Sequence, residues 1–326
     1  MINLETNYLG LKLRNPLIIS SSGMTNSLEK LKKLEEAGAG AIVLKSLFEE
    51  QINFEAGKIL NESHAYPEAE DYIRTYSKSN TVDDYLELIQ EAKKTISIPV
   101  IASINCVSDI DWTGFASKIA QAGADALELN IHIVSVDPLQ DASKLEEKYL
   151  TIVEKVKEAT KLPLAVKIGS HFSNLTHFVA KLYHRKVEAV VLFNRFYQPD
   201  IDIHHLNFTS AGVFSSPDDL RNTLRWIGIV SSKVEHIELS ASTGIHDGTA
   251  LIKCLLAGAQ TGQICSVLYK NGFDEIGKIL QELKDWMEEM NYDTIDDFQG
   301  IMNYSRIKNP AIYERSQFMR YFSSHE

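Results

Sequence analysis

Short apolar runs alternate with longer amphipathic stretches along this chain, and the alternation repeats eight times. The runs at 16–20, 41–44, 99–104, 126–131, 163–168, 189–193, 235–240 and 263–266 read as strands. Most are apolar without interruption, the pattern of a parallel sheet covered on both faces. Between them, apolar residues recur three and four positions apart. Leu28, Leu31 and Leu34 mark one such stripe; Leu145, Tyr149, Ile152, Val153 and Val156 mark another. Helices are expected over 26–37, 82–95, 112–121, 143–160, 174–185, 217–227, 247–257 and 273–290. Asn26 or Ser27 caps the first, Asn174 caps the fifth, and Pro217 opens the sixth.

One phrase punctuates the pattern. Ala37-Gly38-Ala39, Ala122-Gly123-Ala124 and Ala257-Gly258-Ala259 each close a helical stretch and open an apolar run. Glycine suits a helix end that turns left-handed. Several apolar runs then finish in polar residues: Lys45 and Ser46, Asn130, Lys167, and Asn194. Strands that feed a packed core and carry chemistry at their C-terminal ends describe a (β/α)8 TIM barrel. The competing architecture, a doubly wound open sheet, calls for a G-x-G-x-x-G turn after the first strand. Ser20-Ser21-Ser22-Gly23 is not one.

Two stretches exceed a minimal barrel. Segment 47–98 follows the second strand and includes a polar, aromatic part at 61–80; segment 195–216 follows the sixth. Both are expected to form a lid over the C-terminal face. A tail at 301–326 carries Tyr304, Tyr313, Phe318, Tyr321 and Phe322, and should pack on the barrel or on a partner chain. No composition break divides 1–326 into two domains.

Composition narrows the function. A net charge of -11 argues against a broad nucleic-acid surface, which needs clustered Lys and Arg. No apolar run is long enough to span a bilayer. The start, Met1-Ile2-Asn3-Leu4, lacks the basic and apolar parts of a signal peptide. Cys106, Cys254 and Cys265 form no C-x-x-C pair, so neither a zinc nor an iron–sulfur site is expected from this chain alone. The expectation is a cytoplasmic protein with a small-molecule substrate and no bound metal.

Candidate chemistry sits at the strand ends. The loops after strands seven and eight, where barrels often bind phosphate, read Ser240-Ala241-Ser242-Thr243-Gly244-Ile245 and Ile264-Cys265-Ser266. Their small and hydroxyl-bearing residues let backbone N–H groups approach an anion; two ordinary tight turns would read the same way. Lys45 and Lys167 end apolar strands, where an unpaired cation is costly. A reduced flavin, anionic near N1, would offset that cost. So would an ion pair within the barrel mouth. Asn130 and Asn194 can donate and accept in one plane, as a flavin or a planar substrate requires, or can cap a turn. His132 falls two residues past Asn130. His204 and His205, near Asp200 and Asp202, read as a solvated loop.

These residues resemble the dihydroorotate dehydrogenase family, FMN-dependent barrel enzymes of pyrimidine biosynthesis. Asn15-Pro16 with Ser21-Ser22-Gly23, Lys45-Ser46, Glu128-Leu129-Asn130, Val166-Lys167, Asn194, Gly244-Ile245, Gln263-Ile264-Cys265-Ser266 and Asp297-Phe298-Gln299-Gly300 carry the likeness, over about residues 7–300. The resemblance implies an FMN cradle of Ser22, Gly23, Lys45, Ser46, Asn130, Lys167, Asn194, Ser242, Thr243, Gly244, Cys265 and Ser266, with Lys167 near flavin N1. It also leaves a homodimer open.

Most departures fall on the substrate side. The family's E-L-N-x-S-C-P-N carries a cysteine or serine base. Here Ile133 holds that position and Ser135 replaces the asparagine that follows. The family's N-S-M-G-L-P-N loop has no match in 61–80, and two phosphate-loop glycines become Thr243 and Cys265. Three readings follow: a divergent dihydroorotate dehydrogenase with His132 or a lid residue as base, a flavin oxidoreductase for another substrate, and a silent FMN-binding protein.

Overall fold

The computed structural model describes residues 2–49, 82–106, 113–196, 198–210 and 212–314. A hairpin of β1 (Thr6–Tyr8) and β2 (Leu11–Leu13) comes first, then β3 (Leu17–Ile19), β4 (Ala41–Val43) and the two-residue β5 (Leu47–Phe48). β6 (Val100–Cys106), β7 (Ala126–Ile131), β8 (Leu164–Ile168) and β9 (Ala189–Leu192) follow. A second hairpin, β10 (Pro199–Asp202) and β11 (Asn207–Ser210), precedes β12 (Glu238–Ser242) and β13 (Thr261–Ile264). The helices are α1 (Leu28–Glu36), α2 (Val82–Thr95), α3 (Thr113–Ala122), α4 (Ala142–Ala159), α5 (Leu175–His184), α6 (Leu220–Lys233), α7 (Gly248–Ala257), α8 (Ser266–Asn271) and α9 (Glu275–Glu289).

Pairing runs β3, β4, β6, β7, β8, β9, β12, β13 and back to β3, every pair parallel. That ring is a closed TIM barrel with helices around it. β5 adds a short parallel pairing to β6. The three Ala-Gly phrases behave as their chemistry requires: Gly38, Gly123 and Gly258 take φ +112°, +96° and +114°.

The barrel interior changes character along its axis. At the N-terminal end Ile18, Val43, Ile101, Ala126, Ala165, Ala189 and Val191 form one apolar cluster. The β1–β2 hairpin plugs that end with Tyr8, Leu9 and Leu13. Its two-residue turn, Leu9-Gly10, has both φ values positive (57° and 69°), as a type I′ turn demands. Higher up, inward positions become polar: Ser20, Ser103, Glu128, Lys167, Ser240 and Gln263 are all buried. This gradient puts the reactive side chains at the C-terminal mouth.

Several boundaries differ from the expected ones. The seventh strand is 238–242 rather than 235–240, and the eighth, 261–264, ends at Ile264 rather than at Ser266. Thr261 joins the ladder because its hydroxyl donates to Ser240 Oγ at 2.8 Å, which satisfies it inside the barrel. The sixth helix begins with a 3₁₀ turn at Pro217–Asp219 and continues to Lys233. It absorbs Ser231 and Ser232 because their hydroxyls donate to the carbonyls of Ala257 (2.8 Å) and Ile229 (2.9 Å).

Within the second insertion, β10 and β11 pair antiparallel. The first insertion is described only at its ends; its polar, aromatic part at 61–80 lies outside the described residues. The tail, described to residue 314, packs on the chain itself. Tyr313 lies over Gly228 of α6, its hydroxyl donates to Met302 O at 2.6 Å, and Lys233 sits 4.5 Å above the Tyr304 ring. Phe318, Tyr321 and Phe322 lie outside the described residues.

Candidate active site

A cavity of about 550 Å³ opens at the barrel mouth. Ser20–Ser22 of the loop after β3, Lys167 of β8, and Gln263 with Cys265 at the end of β13 line it. So do residues 242–245 after β12, Ser266 and Tyr269 of α8, Asn194 after β9, and Arg195, Phe196 and 212–215 of the second insertion. Of the cradle expected from the sequence, Ser22, Lys167, Asn194, Ser242, Thr243, Gly244, Cys265 and Ser266 meet here.

The remaining expected residues sit around it. Gly23 backs onto Tyr269, whose hydroxyl would lie 2.8 Å from a Cβ at that position. Ser46 N donates to Ser21 Oγ at 2.8 Å, and Ser46 Oγ lies 2.8 Å from Ser103 Oγ. Lys45 N donates to Thr25 O, and its charge reaches the Tyr269 hydroxyl. Asn130 stands beside Lys167 in the β7–β8 register. Its buried Oδ1 has no hydrogen-bond partner among the described residues.

Lys167 is the electrostatic centre. The residue is 5% exposed, and its ammonium donates to Ser20 Oγ at 2.9 Å and to Gln263 Oε1 at 3.0 Å. Gln263 Nε2 in turn donates to Glu128 Oε2 at 2.7 Å, while Glu128 Oε1 lies 3.6 Å from the ammonium. Lys167 is therefore not an isolated buried charge. Glu128, Gln263 and Ser20 answer its desolvation, as the barrel-mouth ion pair would. Two of its three N–H groups are used, and the side chain still borders the cavity.

The loop after β12 keeps a left-handed backbone although one position is threonine. Thr243 has φ +77° and Gly244 +93°. The Thr243 hydroxyl donates to Phe193 O at 3.0 Å and helps to hold that conformation. A Cβ at Gly244 would fall 2.3 Å from Leu220 N, so no side chain fits. Cys265 has φ -150°, outside the left-handed region that favours glycine. Burial pushes its thiol pKa up, against hydrogen bonding from Ser22 and the charge of Lys167.

The second insertion is fastened at its base. Arg195 donates to Asp219 Oδ2 (2.9 Å), Gly212 O (3.1 Å) and Val213 O (3.3 Å). His246 Nε2 lies 3.0 Å from Ser215 Oγ, and Lys270 donates to Ser215 O at 2.9 Å. His205 Nδ1 pairs with Asp202 at 2.6 Å on the exposed hairpin.

His132 and Ile133 line a separate neighbouring cavity. Phe196 stands between His132 and the barrel mouth, stacked on the imidazole at 3.8 Å. Ile133 N donates to Tyr149 Oη at 3.1 Å. Ser20, Arg195, Phe196 and Tyr269 had not been expected. Strand alternation puts Ser20 on the same face as Ile18, a signal that could have found it, but contacts made across the barrel leave no signature in sequence.

The family model for dihydroorotate dehydrogenase matches residues 3–287. The chain belongs to the dihydroorotate dehydrogenase family. The catalytic subunit of dihydroorotate dehydrogenase B (NAD(+)) from Thermoplasma volcanium is 26% identical over 316 residues, covering 92% of this chain and 99% of its own length. The subunit of the same name from Methanocaldococcus jannaschii is 24% identical, covering 91% and 97%. The chloroplastic dihydropyrimidine dehydrogenase (NADP(+)) of Arabidopsis thaliana is 22% identical, covering 91% and 76%. The likeness is to dihydroorotate dehydrogenase-like oxidoreductases. Among the described residues, no helix is long and apolar enough to cross a membrane.

Proposed function

We propose that this protein is an FMN-dependent oxidoreductase that dehydrogenates a small molecule at the mouth of its barrel. The observation that carries the reading is the buried Lys167 on the wall of a cavity that the loops after β12 and β13 also enter. The residues present fit FMN. The left-handed turn at Thr243 and Gly244 borders the cavity, where backbone N–H groups would meet an anion, the cavity side of Lys167 supplies positive charge, and the orphaned Asn130 Oδ1 can accept a hydrogen bond.

Bound FMN supplies a two-electron acceptor for a hydride equivalent. The chain's own residues do the rest. Residues 242–245 and 265–266 would hold the phosphate. Lys167, kept in place by Ser20 and Gln263, would stabilise negative charge on the ring. Asn130 and Asn194 would orient ring or substrate edges. Phe196, Val213 and Phe214 would exclude water from the open side.

Dihydroorotate is the substrate the family suggests, and the same reading makes the chain one domain, cytoplasmic and concerned with pyrimidine biosynthesis. One observation favours a different substrate. The position of the family's base is Ile133, which lines the neighbouring cavity and has no group to take a proton. Losing a general base costs roughly 10²–10⁴-fold in rate. The exposed apolar hairpin residues Ile203 (73%) and Leu206 (86%) support self-association.

The test is anaerobic mixing of the FMN-loaded protein with dihydroorotate and, separately, with dihydrouracil. Rapid bleaching by dihydroorotate supports the family reaction. Bleaching by dihydrouracil alone supports the altered substrate. Protein that takes up no FMN overturns both.

A further inference from the structure

The cavity beside the barrel mouth has a volume of about 470 Å³ and a different lining from the first. Tyr149 and Phe172 line it, and Phe178 backs them. Phe172 stacks on Phe178 with centroids 4.2 Å apart, and Tyr149 meets both edge-on at 5.6 Å. Phe196 forms the wall shared with the barrel-mouth cavity. His132 stacks on that ring at 3.8 Å, and His171 tilts against it at 5.2 Å. The ring also presses on Gly169, where a Cβ would fall 2.2 Å from Phe196 Cζ. Only glycine at 169 lets Phe196 stand there.

The polar groups around this space select by charge. Glu146 is the carboxylate in the lining, and it is paired with Lys181 at 3.0 Å. Among the described residues, no lysine or arginine lines the cavity. Burial, then the neighbouring His171, lowers the His132 pKa from its ordinary value of 6.5, so the imidazole is neutral at pH 7. An anionic guest would enter without a counter-charge, at a desolvation cost. A neutral planar guest would find aromatic faces to stack on, and an imidazole that can donate or accept one hydrogen bond.

We infer that this cavity is a binding subsite for a neutral aromatic or heteroaromatic ring, with Phe196 as the partition between it and the barrel mouth. The inference stands on the lining of the cavity and does not require the flavin assignment.

Benzamide and benzoate test it, because they share a shape and differ in charge. Each is titrated into the full-length protein, with FMN bound where the protein takes it up. Calorimetry and the imidazole NMR signals of His132 and His171 report binding. Benzamide should bind saturably and shift both imidazoles, and benzoate should bind at least about tenfold more weakly, a difference of about 1.4 kcal/mol. Ala142→Trp and Ser173→Trp, both at exposed positions on the rim, should each weaken benzamide about tenfold or more while the thermal melt is unchanged. Two blocking variants are named so that a folding failure in one leaves the other to decide. Absence of saturable benzamide binding, equal binding of benzoate, or undiminished binding by a folded blocking variant would overturn the inference. Benzamide binding to a protein that takes up no FMN would sink the flavin reading and leave this one standing.

Discussion

The Lys167 ammonium lies 3.6 Å from Glu128 Oε1, and Gln263 is hydrogen-bonded to both side chains. Glu128 is 1% exposed, so its charge cannot fall back on water if Lys167 goes. Removing one partner of a buried pair typically costs 3–5 kcal/mol. Glu128→Gln and Lys167→Met should therefore each destabilise the protein by about 3 kcal/mol, and the double variant by clearly less than the sum. Urea denaturation of all four proteins measures the coupling; strict additivity would show that the two charges do not support each other.

Gly244 tests the loop that enters the cavity from β12. Its φ is +93°, and an added Cβ meets backbone at 2.3 Å, which cannot yield as a flexible side chain would. Gly244→Ala should cost about 2 kcal/mol or more. Gly212→Ala, with nothing within 4 Å of the new methyl, should stay within about 0.5 kcal/mol of wild type. Comparing the two melting curves checks the claim, and equal losses would contradict it.

How far the sequence led can be judged from these residues. Barrel closure was legible because eight buried strands leave eight apolar runs and three Ala-Gly helix ends. Lys167, Asn194 and Thr243–Gly244 were legible because strand-end polar residues break an apolar pattern. Glu128 and Gln263 stand out in the sequence only as parts of motifs. Their roles depend on β7 and β13 facing each other across the barrel, a relation between residues 135 apart in sequence. The β1–β2 hairpin escaped notice because Leu9-Gly10 lacks the Asn or Asp that marks a type I′ turn. His132 followed Asn130 at strand spacing, yet the chain leaves β7 at Ile131 and carries the imidazole under Phe196.

Acid should weaken the fold through two histidines. Burial lowers the pKa of both His132 and His246 from 6.5, with His171 adding to the first and Lys270 to the second. Below that value the unfolded chain binds more protons than the folded one. The contribution is thus complete above pH 6.5 and is lost as pH falls through it. His132→Phe keeps a ring against Phe196 and removes the titration. It should flatten the acid-side fall in urea midpoint, and an unchanged slope would count against the assignment.

Arg195 ties the second insertion to Asp219 and to the carbonyls at 212 and 213. As a partly exposed pair it adds only about 1 kcal/mol or less to global stability. Arg195→Ala should leave the melting temperature nearly unchanged, speed proteolysis within 199–214, and weaken ligand retention in the barrel-mouth cavity. Unaltered proteolysis would show that the clasp does not hold the insertion.

The most direct measurement is a titration of flavin-free protein with FMN and with riboflavin, in wild type and in Lys167→Met, followed by flavin fluorescence and visible absorbance. The account predicts one FMN site per chain. Riboflavin should bind about tenfold or more weakly, because it lacks the phosphate that residues 242–245 and 265–266 would hold. Lys167→Met should weaken both flavins. A wild-type chain that binds neither flavin, or binds the two equally and is indifferent to Lys167, would contradict it.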